Sequence, residues 1–522
     1  MHRVPTLWKA NTIAFISSFC VMVIELIASR ILAPHIGVSL YTWTSIIGVI
    51  LAGIALGNYI GGKIADKRPS PLVLAAIFFA GGLLTIAILP MTNIVTSANW
   101  FGNLPVVWNF TLKTSFIFFL PAIILSMVSP MVIKLTLADL GQTGGVVGTI
   151  YAFSTAGAIL GTFMTGFYLI LWFGTSMIVW LVAAVLILTG VIAWFSWRIP
   201  GRWNLSLKNF IIWTVTIVVA LTYIFLFLSK ESLHETYTKE SNYFTIQVKD
   251  AGTDGKALHL DNFIQSYVVP EDQTALVYDY LKVFEEIVRY INGENPAPRV
   301  LHLGGGGYSF PRYMEAVYPE SVNEVVEIDP AVTQVAHEEL GLPLETSIKT
   351  HNQDARLFLI QQKTVEKYNI VIGDVFNDFS TPYHLTTLEF NELVKANMEK
   401  DGIYLVNIND YPHGRYTPSF IHTLKQAFKY VYLFGVGESW GQKKNGTLVI
   451  TAYDRVIVAT HCRIDLADYQ KFVTEDGKKK AYGYPLKEME LEKYLAERDP
   501  ILLTDDHAPT DILIAPVFSE LE

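Results

Sequence analysis

The pattern of apolar and polar positions changes character at about residue 230. Before that point long apolar runs follow one another with few charges, and after it short apolar runs alternate with polar segments. A helix needs about 20 apolar residues to cross a bilayer. Runs of that kind occupy 11–32, 41–62, 72–92, 114–135, 147–171, 175–197 and 209–228. The pattern therefore predicts an N-terminal transmembrane domain of about seven helices over 1–230, embedded in a lipid bilayer.

The first two apolar runs contain glycines and charges that bear on helix packing. Gly53, Gly57 and Gly61 recur at every fourth residue, and such spacing lets helices approach closely in lipid. Glu25 and Arg30 lie inside the first run, where a charge is costly and is usually paired or functional. We favour an ion pair that fixes helix packing, and a transport or substrate-access site is the alternative.

After residue 235 the pattern becomes that of strands and amphipathic helices. Alternation over 243–249 and a turn signal at 252–255 predict a small β-hairpin module over 236–270. Apolar spacing then predicts a helix over 273–292. From residue 300 strands alternate with helices, which indicates a Rossmann-like doubly wound sheet within 271–522, with ligands at the carboxyl ends of its strands. The expected strands are 300–303, 324–327, 348–351, 369–372 and 403–408.

Glycines and carboxylates stand where these strands end. The first strand is followed by Gly304–Gly307, the second ends at Glu327, and Asp354 and Asp374 follow the third and fourth. Glycines let the backbone approach a ligand, and an acidic residue about 20 positions on can hold ribose hydroxyls. Ser309 replaces the third glycine of a dinucleotide fingerprint, which argues against a nicotinamide cofactor. A sulfonium nucleoside, which lacks a pyrophosphate, and a degenerate pocket that binds nothing both stay open. Taken singly, Asp354 could instead cap a helix.

Composition excludes several classes of function. The net charge of −9 and the lack of a basic aromatic patch argue against nucleic-acid binding. The two cysteines are Cys20, inside an apolar run, and Cys462, so neither a disulfide nor a cysteine metal site is expected. Asp505, Asp506 and His507 lie close together and could bind a metal, but we favour a turn or a helix cap.

Six motifs follow one another in the C-terminal half. They are LHLDNFIQS (258–266), VLHLGGGGYSFPR (300–312), VVEIDP (325–330), QDARLFL (353–359), IVIGDVFND (370–378) and LTTLEF (385–390). In order and spacing they resemble the spermidine synthases, or polyamine aminopropyltransferases, over about 236–450. A subgroup of that family fused to N-terminal membrane helices is the nearest likeness.

The resemblance implies an enzyme of polyamine and spermidine biosynthesis without metal or other cofactor. Such enzymes move an aminopropyl group from decarboxylated S-adenosylmethionine to an amine such as putrescine and release methylthioadenosine. Asp374 would be the catalytic proton acceptor, which the amine needs because it is mostly protonated at neutral pH. The implied nucleoside-binding residues are Gln265, Gly304, Gly305, Gly306, Glu327 and Asp354. The amine-side candidates are Tyr278, Asn377, Asp378 and Tyr383. A homodimer remains open.

Three positions depart from the family pattern, and each change removes a negative charge from the amine side. Gly307 replaces an aspartate after the third glycine, Tyr280 replaces a glutamate, and Asn377 replaces the second aspartate of a D-x-x-D motif. His384, in the segment expected to cover the site, is interpreted as structural. The candidates to restore the missing charge are Asp378, Asp410 and Glu438.

Orientation in the membrane and two other functions stay open. Lys63, Lys67 and Arg68 lie in a loop that resembles a cytoplasmic loop of major-facilitator transporters. Positively charged loops are usually cytoplasmic, so their charge also predicts that this loop faces the cytoplasm. Seven spans would then place the C-terminal half outside the cell, away from a cosubstrate made in the cytosol. We expect a multi-pass cell-membrane protein with a cytoplasmic catalytic domain. The alternatives are a transferase that uses intact S-adenosylmethionine and a transporter with a nucleoside-sensing domain.

Overall fold

A computed structural model gives the structure of this chain in two compact units, Met1–Leu233 and His234–Glu522. The predicted span 209–228 lies outside the described residues. The structure describes residues 7–36, 39–97, 101, 104–137, 143–196, 235–252, 255–261, 263–362, 366–376, 381–411, 413–437, 442–444, 447–449, 454–475 and 481–514.

The first unit consists of long apolar helices. Its helices are α1 (Leu7–Ile36), α2 (Leu40–Lys67), α3 (Pro71–Ser97), α4 (Val106–Thr114), α5 (Leu120–Ser126), α6 (Val128–Thr136), α7 (Thr143–Met164), α8 (Ile170–Trp172) and α9 (Thr175–Ser196). Within the described residues they provide six segments long and apolar enough to cross a membrane, which match the first six predicted runs.

Glycines let these helices pack closely, as their spacing predicts. A Cβ on Gly57 of α2 would lie 2.3 Å from the carbonyl oxygen of Ile123 in α5. A Cβ on Gly157 of α7 would lie 2.2 Å from the carbonyl oxygen of Phe15 in α1. In lipid, such backbone proximity supplies the packing energy that the hydrophobic effect supplies in water.

The second unit opens with a four-stranded antiparallel sheet where the hairpin module was expected. Its strands, in spatial order, are β1 (Glu235–Glu240), β2 (Thr245–Asp250), β3 (Lys256–Leu260) and β4 (Phe263–Val268). Leu258 pairs with Ser266 while the next residue, His259, pairs with Ile264, so Gln265 is the extra residue of a β-bulge. A bulge redirects the side chain it contains.

An eight-stranded sheet forms the centre of this unit, in the order β14-β10-β13-β9-β8-β5-β6-β7. Its first five strands in the chain are β5 (Arg299–Leu303), β6 (Val322–Val326), β7 (Lys349–His351), β8 (Tyr368–Gly373) and β9 (Met398–Asn409). These five strands are parallel and correspond to the predicted ones. The strand order reverses between β5 and β8, and the crevice at such a point is where doubly wound folds bind ligands.

Three antiparallel strands that the sequence did not predict extend the sheet at one edge. They are β10 (Tyr430–Val436), β13 (Asp454–Thr460) and β14 (Gly483–Pro485), and the pair β11 (Gln442–Lys444) and β12 (Thr447–Val449) lies between β10 and β13 in the chain. The sheet is therefore mixed, not purely parallel as the alternation of strands and helices predicted.

Helices cover both faces of the large sheet. They are α10 (Asp279–Asn292), α11 (Ser309–Val317), α12 (Pro330–Glu339), α13 (Ala355–Gln361), α14 (Leu388–Ala396), α15 (Tyr416–Ala427), α16 (Leu466–Glu475), α17 (Glu488–Ala496) and α18 (Thr510–Ile514). On one face Phe284 of α10 is buried in a cluster with Ile372 of β8. On the other face Phe390 of α14 is buried with Val371. Neighbouring residues of one strand thus face different cores, as they do in a doubly wound sheet.

Candidate active site

The loop after β5 is a tight turn in which two glycines have positive φ. Gly304 has a φ of +94° and Gly306 a φ of +48°, in the left-handed region that L side chains rarely adopt. A Cβ on Gly304 would lie 2.2 Å from the carbonyl oxygen of Asp374. The backbone N–H of Asp374 donates to the carbonyl of Leu303 at 2.9 Å. The glycine loop and the end of β8 are therefore in direct contact at the switch point.

The carboxylate of Glu327 binds the glycine loop from the neighbouring strand. Its Oε2 accepts the N–H groups of Gly305 and Gly306 at 2.8 and 3.3 Å, and its Oε1 accepts the N–H of Asp329 at 3.0 Å. Burial raises the pKa of Glu327, and these three N–H groups oppose the rise. A carboxylate offers about four acceptor positions, so Oε1 keeps capacity for a ligand hydroxyl.

Asp374 follows β8, and both of its carboxylate oxygens accept hydrogen bonds. Tyr280 donates its phenol hydrogen to Oδ2 at 2.9 Å, and the Asn407 side-chain amide donates to Oδ1 at 3.0 Å. Burial raises the pKa of Asp374, whereas these two hydrogen bonds lower it. A carboxylate with a raised pKa in a cleft is suited to accept a proton. Tyr280, a departure from the family pattern, is thus a direct partner of the expected base.

Tyrosine rings line the cleft beside Asp374. The cleft is bounded by Tyr278, Tyr280, Gly304 and Gly305 together with Asp374. The ring centroids of Tyr278 and Tyr280 are 5.6 Å apart. The faces of aromatic rings attract cations, so the cleft is suited to a cationic ligand.

Ser266 of β4 is a cleft residue that the sequence did not single out. Its Oγ accepts the N–H of Gly307 at 3.0 Å. A Cβ on Gly307 would lie 2.8 Å from the Cβ of Ser266 and 2.7 Å from Cγ2 of Val268. The aspartate of the family pattern therefore does not fit this backbone at position 307. The neighbouring Gln265 lies in the bulge of the same strand, half-buried.

Asp354 caps α13 and also contacts a histidine. Its Oδ1 accepts the N–H groups of Arg356 and Leu357 at 2.9 and 3.0 Å, so the cap interpretation is confirmed. Its Oδ2 lies 2.9 Å from Nε2 of His384. His384 therefore has a carboxylate partner that sequence spacing could not show. Because α13 begins just after β7, the cap remains at the carboxyl end of the sheet.

The late acidic segment forms the turn that was favoured over a metal site. The backbones of Thr504 and His507 exchange hydrogen bonds at 3.1 and 2.9 Å. The Asp505 carboxylate pairs with both terminal nitrogens of Arg356, one residue after the start of α13. Asp505 therefore connects this turn to the first turn of α13.

Asp410 does not restore negative charge to the cleft. It is fully buried, and its oxygens accept the N–H groups of Tyr411 and Thr417, each at 2.8 Å. A guanidinium nitrogen of the equally buried Arg455 lies 3.7 Å away and neutralises its charge. The prediction that Asp410 compensates is therefore wrong. Tyr383 is 57% exposed, and Asn377, Asp378 and Glu438 lie outside the described residues.

Comparisons with known proteins agree with the motifs. No protein-family model matches the chain. A polyamine aminopropyltransferase of Vibrio vulnificus is 35% identical over 115 residues, which are 22% of this chain and 38% of that protein. An eEF1A lysine and N-terminal methyltransferase of Bos taurus is 26% identical over 143 residues, 26% of this chain and 20% of that protein. The match to the Vibrio protein confirms the resemblance to polyamine aminopropyltransferases, although the chain spans less than half of that relative's length.

Among solved structures, a probable spermidine synthase from Corynebacterium glutamicum is 22% identical to this chain. The match covers 52% of this chain and 96% of that one, with a TM-score of 0.45. The matched part therefore amounts to about half of the present chain.

Proposed function

We propose that the chain is a membrane-bound aminopropyltransferase that transfers an aminopropyl group from decarboxylated S-adenosylmethionine to an amine such as putrescine. One observation carries the proposal. Asp374, held by Tyr280 and Asn407, touches a glycine loop that Glu327 binds from the next strand. A base and a nucleoside-type loop thus meet at the switch point of the sheet, where such folds bind ligands.

The nucleoside lies along the carboxyl ends of β5, β6 and β7. Gly304–Gly306 line its thioether and sugar, Glu327 accepts the ribose hydroxyls, and Asp354 accepts a hydrogen bond from the adenine amino group. Gln265 reaches the same ligand from the bulge of β4. The free capacity of Glu327 Oε1 and the packing of the glycine loop support this arrangement.

The transfer is a single displacement at carbon. The amine loses a proton to Asp374, its nitrogen lone pair attacks the carbon next to the sulfonium, and the C–S bond breaks as the C–N bond forms. Sulfur keeps the electron pair, and neutral methylthioadenosine leaves. The buried carboxylate also attracts the cationic acceptor, and alignment of the two reactants in one cleft supplies much of the acceleration.

Purified full-length protein tests this function directly. Incubation with decarboxylated S-adenosylmethionine and putrescine should release methylthioadenosine and an equal amount of aminopropylated amine. A folded protein that releases no methylthioadenosine with any amine of a panel would exclude an aminopropyltransferase.

Tyr280→Phe should move the acid limb of the pH profile of kcat/KM to higher pH. The Tyr280 phenol donates to Asp374 and lowers the pKa of that carboxylate. Loss of this hydrogen bond should raise the pKa of Asp374 and shift the acid limb by about one pH unit. Such a bond is worth roughly 1–2 kcal/mol. Tyr278→Phe is the control, because the Tyr278 phenol donates to the Ile264 carbonyl instead. If the acid limb of the Tyr280 variant is unchanged, the group whose titration produces the limb is not Asp374.

Glu327→Gln should weaken nucleoside binding by about 10- to 100-fold, as measured by calorimetry with methylthioadenosine. A side-chain amide offers one acceptor atom, whereas the glycine loop and Asp329 use both oxygens. Glu324→Gln is the matched control in β6, because Glu324 contacts His351 and Arg299. Equal affinities for the two variants would contradict a role of Glu327 in the nucleoside site.

The catalytic unit faces the cytoplasm in this proposal, on the side where the cosubstrate is made. Six apolar helices among the described residues support membrane insertion. Protease treatment of sealed vesicles of known orientation tests the side. Cleavage of the C-terminal unit only from the extracytoplasmic face would contradict it.

A transferase that uses intact S-adenosylmethionine is the second candidate. The similarity to a methyltransferase and the glycine at position 307 favour it. Calorimetry with both nucleosides distinguishes the candidates. Tighter binding of the carboxylated form would replace the first proposal by the second.

A further inference from the structure

One carboxylate that no motif includes lies on the sheet face beside Asp374. Asp454 begins β13 opposite Asn409 of β9, and Val456 pairs with Asn407. Paired residues of an antiparallel sheet share a face, as do residues two apart on one strand. Asp454 therefore lies on the same face as Asn407, whose side chain donates to Asp374.

Helix α10 packs on this face and brings the tyrosines to the same place. Val456 is buried in one cluster with Tyr280 and Phe284 of α10. Burial chiefly raises the pKa of Asp374, and the negative charge of Asp454 adds to the rise. Burial likewise raises the pKa of Tyr278, with a further contribution from the charge of Asp454. Strand register and helix packing therefore place Asp454 on the sheet face that carries Asn407 and packs against Tyr280.

Asp454 has no hydrogen-bond or ion-pair partner within the part of the chain that the structure describes. The adjacent Arg455 points to the opposite face, where it binds Thr417 and the Tyr411 carbonyl. Burial chiefly raises the pKa of Asp454, the charge of the adjacent Arg455 opposes the rise, and the negative charge of Asp279 adds to it. A half-buried carboxylate of this kind is stabilised when a cation binds it.

We infer that Asp454 is a specificity-determining residue that binds the far ammonium group of a diamine acceptor. The near nitrogen lies at Asp374, and the rings of Tyr278 and Tyr280 lie along the alkyl chain between them. This role rests on the proposed function and adds the site that selects the acceptor. Negative charge absent from positions 307 and 280 is thus supplied from β13, a strand outside the motifs.

Asp454→Asn in the full-length protein tests the role. For putrescine we expect KM to rise about 10- to 100-fold, the range for a lost hydrogen bond to a charge, with kcat nearly unchanged. For n-butylamine, which lacks the far ammonium, KM should not change. A merely structural role would affect both amines. Asp401→Asn is the matched control, because Asp401 is an exposed carboxylate at the opposite end of β9.

Two outcomes separate the inference from the proposed function. Calorimetric titration of putrescine into the methylthioadenosine complex gives an affinity that does not depend on turnover. If Asp454→Asn leaves this affinity and KM unchanged while wild type releases methylthioadenosine, the role of Asp454 is wrong and the proposed function stands. If wild type neither binds putrescine nor releases methylthioadenosine, both are wrong.

Discussion

Asp374→Asn should lower kcat for methylthioadenosine release by about 100- to 10,000-fold, the usual contribution of a general base. The amide has nearly the same shape but cannot accept a proton from the attacking nitrogen. It also presents an N–H group toward Tyr280 or Asn407, both of which donate to the native carboxylate. The measurement is single-turnover release at saturating concentrations of both substrates.

The interpretation of that result depends on an intact nucleoside site. Methylthioadenosine should bind the variant with near-native affinity, because Glu327 and the glycine loop are unchanged. Asp401→Asn serves as the charge-matched control and should keep full activity. More than about a tenth of the wild-type rate in Asp374→Asn would fall short of a general base's contribution and assign proton removal to another group.

Gly304→Ala should destabilise the C-terminal unit by about 3 kcal/mol or more and abolish nucleoside binding. An alanine at a φ of +94° is strained, and its Cβ would lie 2.2 Å from the carbonyl oxygen of Asp374. That neighbour is backbone, so relief requires the ends of β5 and β8 to separate. Thermal unfolding of the full-length protein in detergent and calorimetry with methylthioadenosine measure the two effects.

Gly252→Ala separates the two causes. Gly252 also has a positive φ, +82°, but a Cβ there would have no neighbour within 4 Å. This control carries the conformational strain alone and should cost about 1–2 kcal/mol without loss of nucleoside binding. Similar effects of both substitutions would show that the contact between the glycine loop and Asp374 is unimportant.

The parallel part of the sheet was predictable because local pattern and global fold agree there. Strands β5 to β9 are short apolar runs between amphipathic helices, and the residues at their ends follow from the polarity of the chain. The antiparallel edge was not predictable in the same way. A buried strand such as β13 has the same apolar pattern whichever direction its neighbour runs.

The site residues were predicted partly from their spacing at strand ends and partly from the resemblance to the polyamine aminopropyltransferases. Spacing alone placed Gly304, Glu327 and Asp374 at one edge of the sheet, where the structure has them. It could not show that Gly307 packs against Ser266, since residues 41 positions apart meet only through strand β4. For the same reason spacing could not show that Asp410 is buried against Arg455 and does not face the cleft.

By itself the sequence determined the division into an apolar helical half and an α/β half, together with the residues at the ends of the parallel strands. These properties depend on local periodicity and on the direction of the chain. Only the tertiary structure decided that Tyr280 binds Asp374 and that Asp454 lies on the same sheet face as Asn407, the other partner of Asp374. Tyr280 and Asp454 are 94 and 80 residues away from Asp374 in the chain, and their placement arises from helix packing and antiparallel register, which no local pattern encodes.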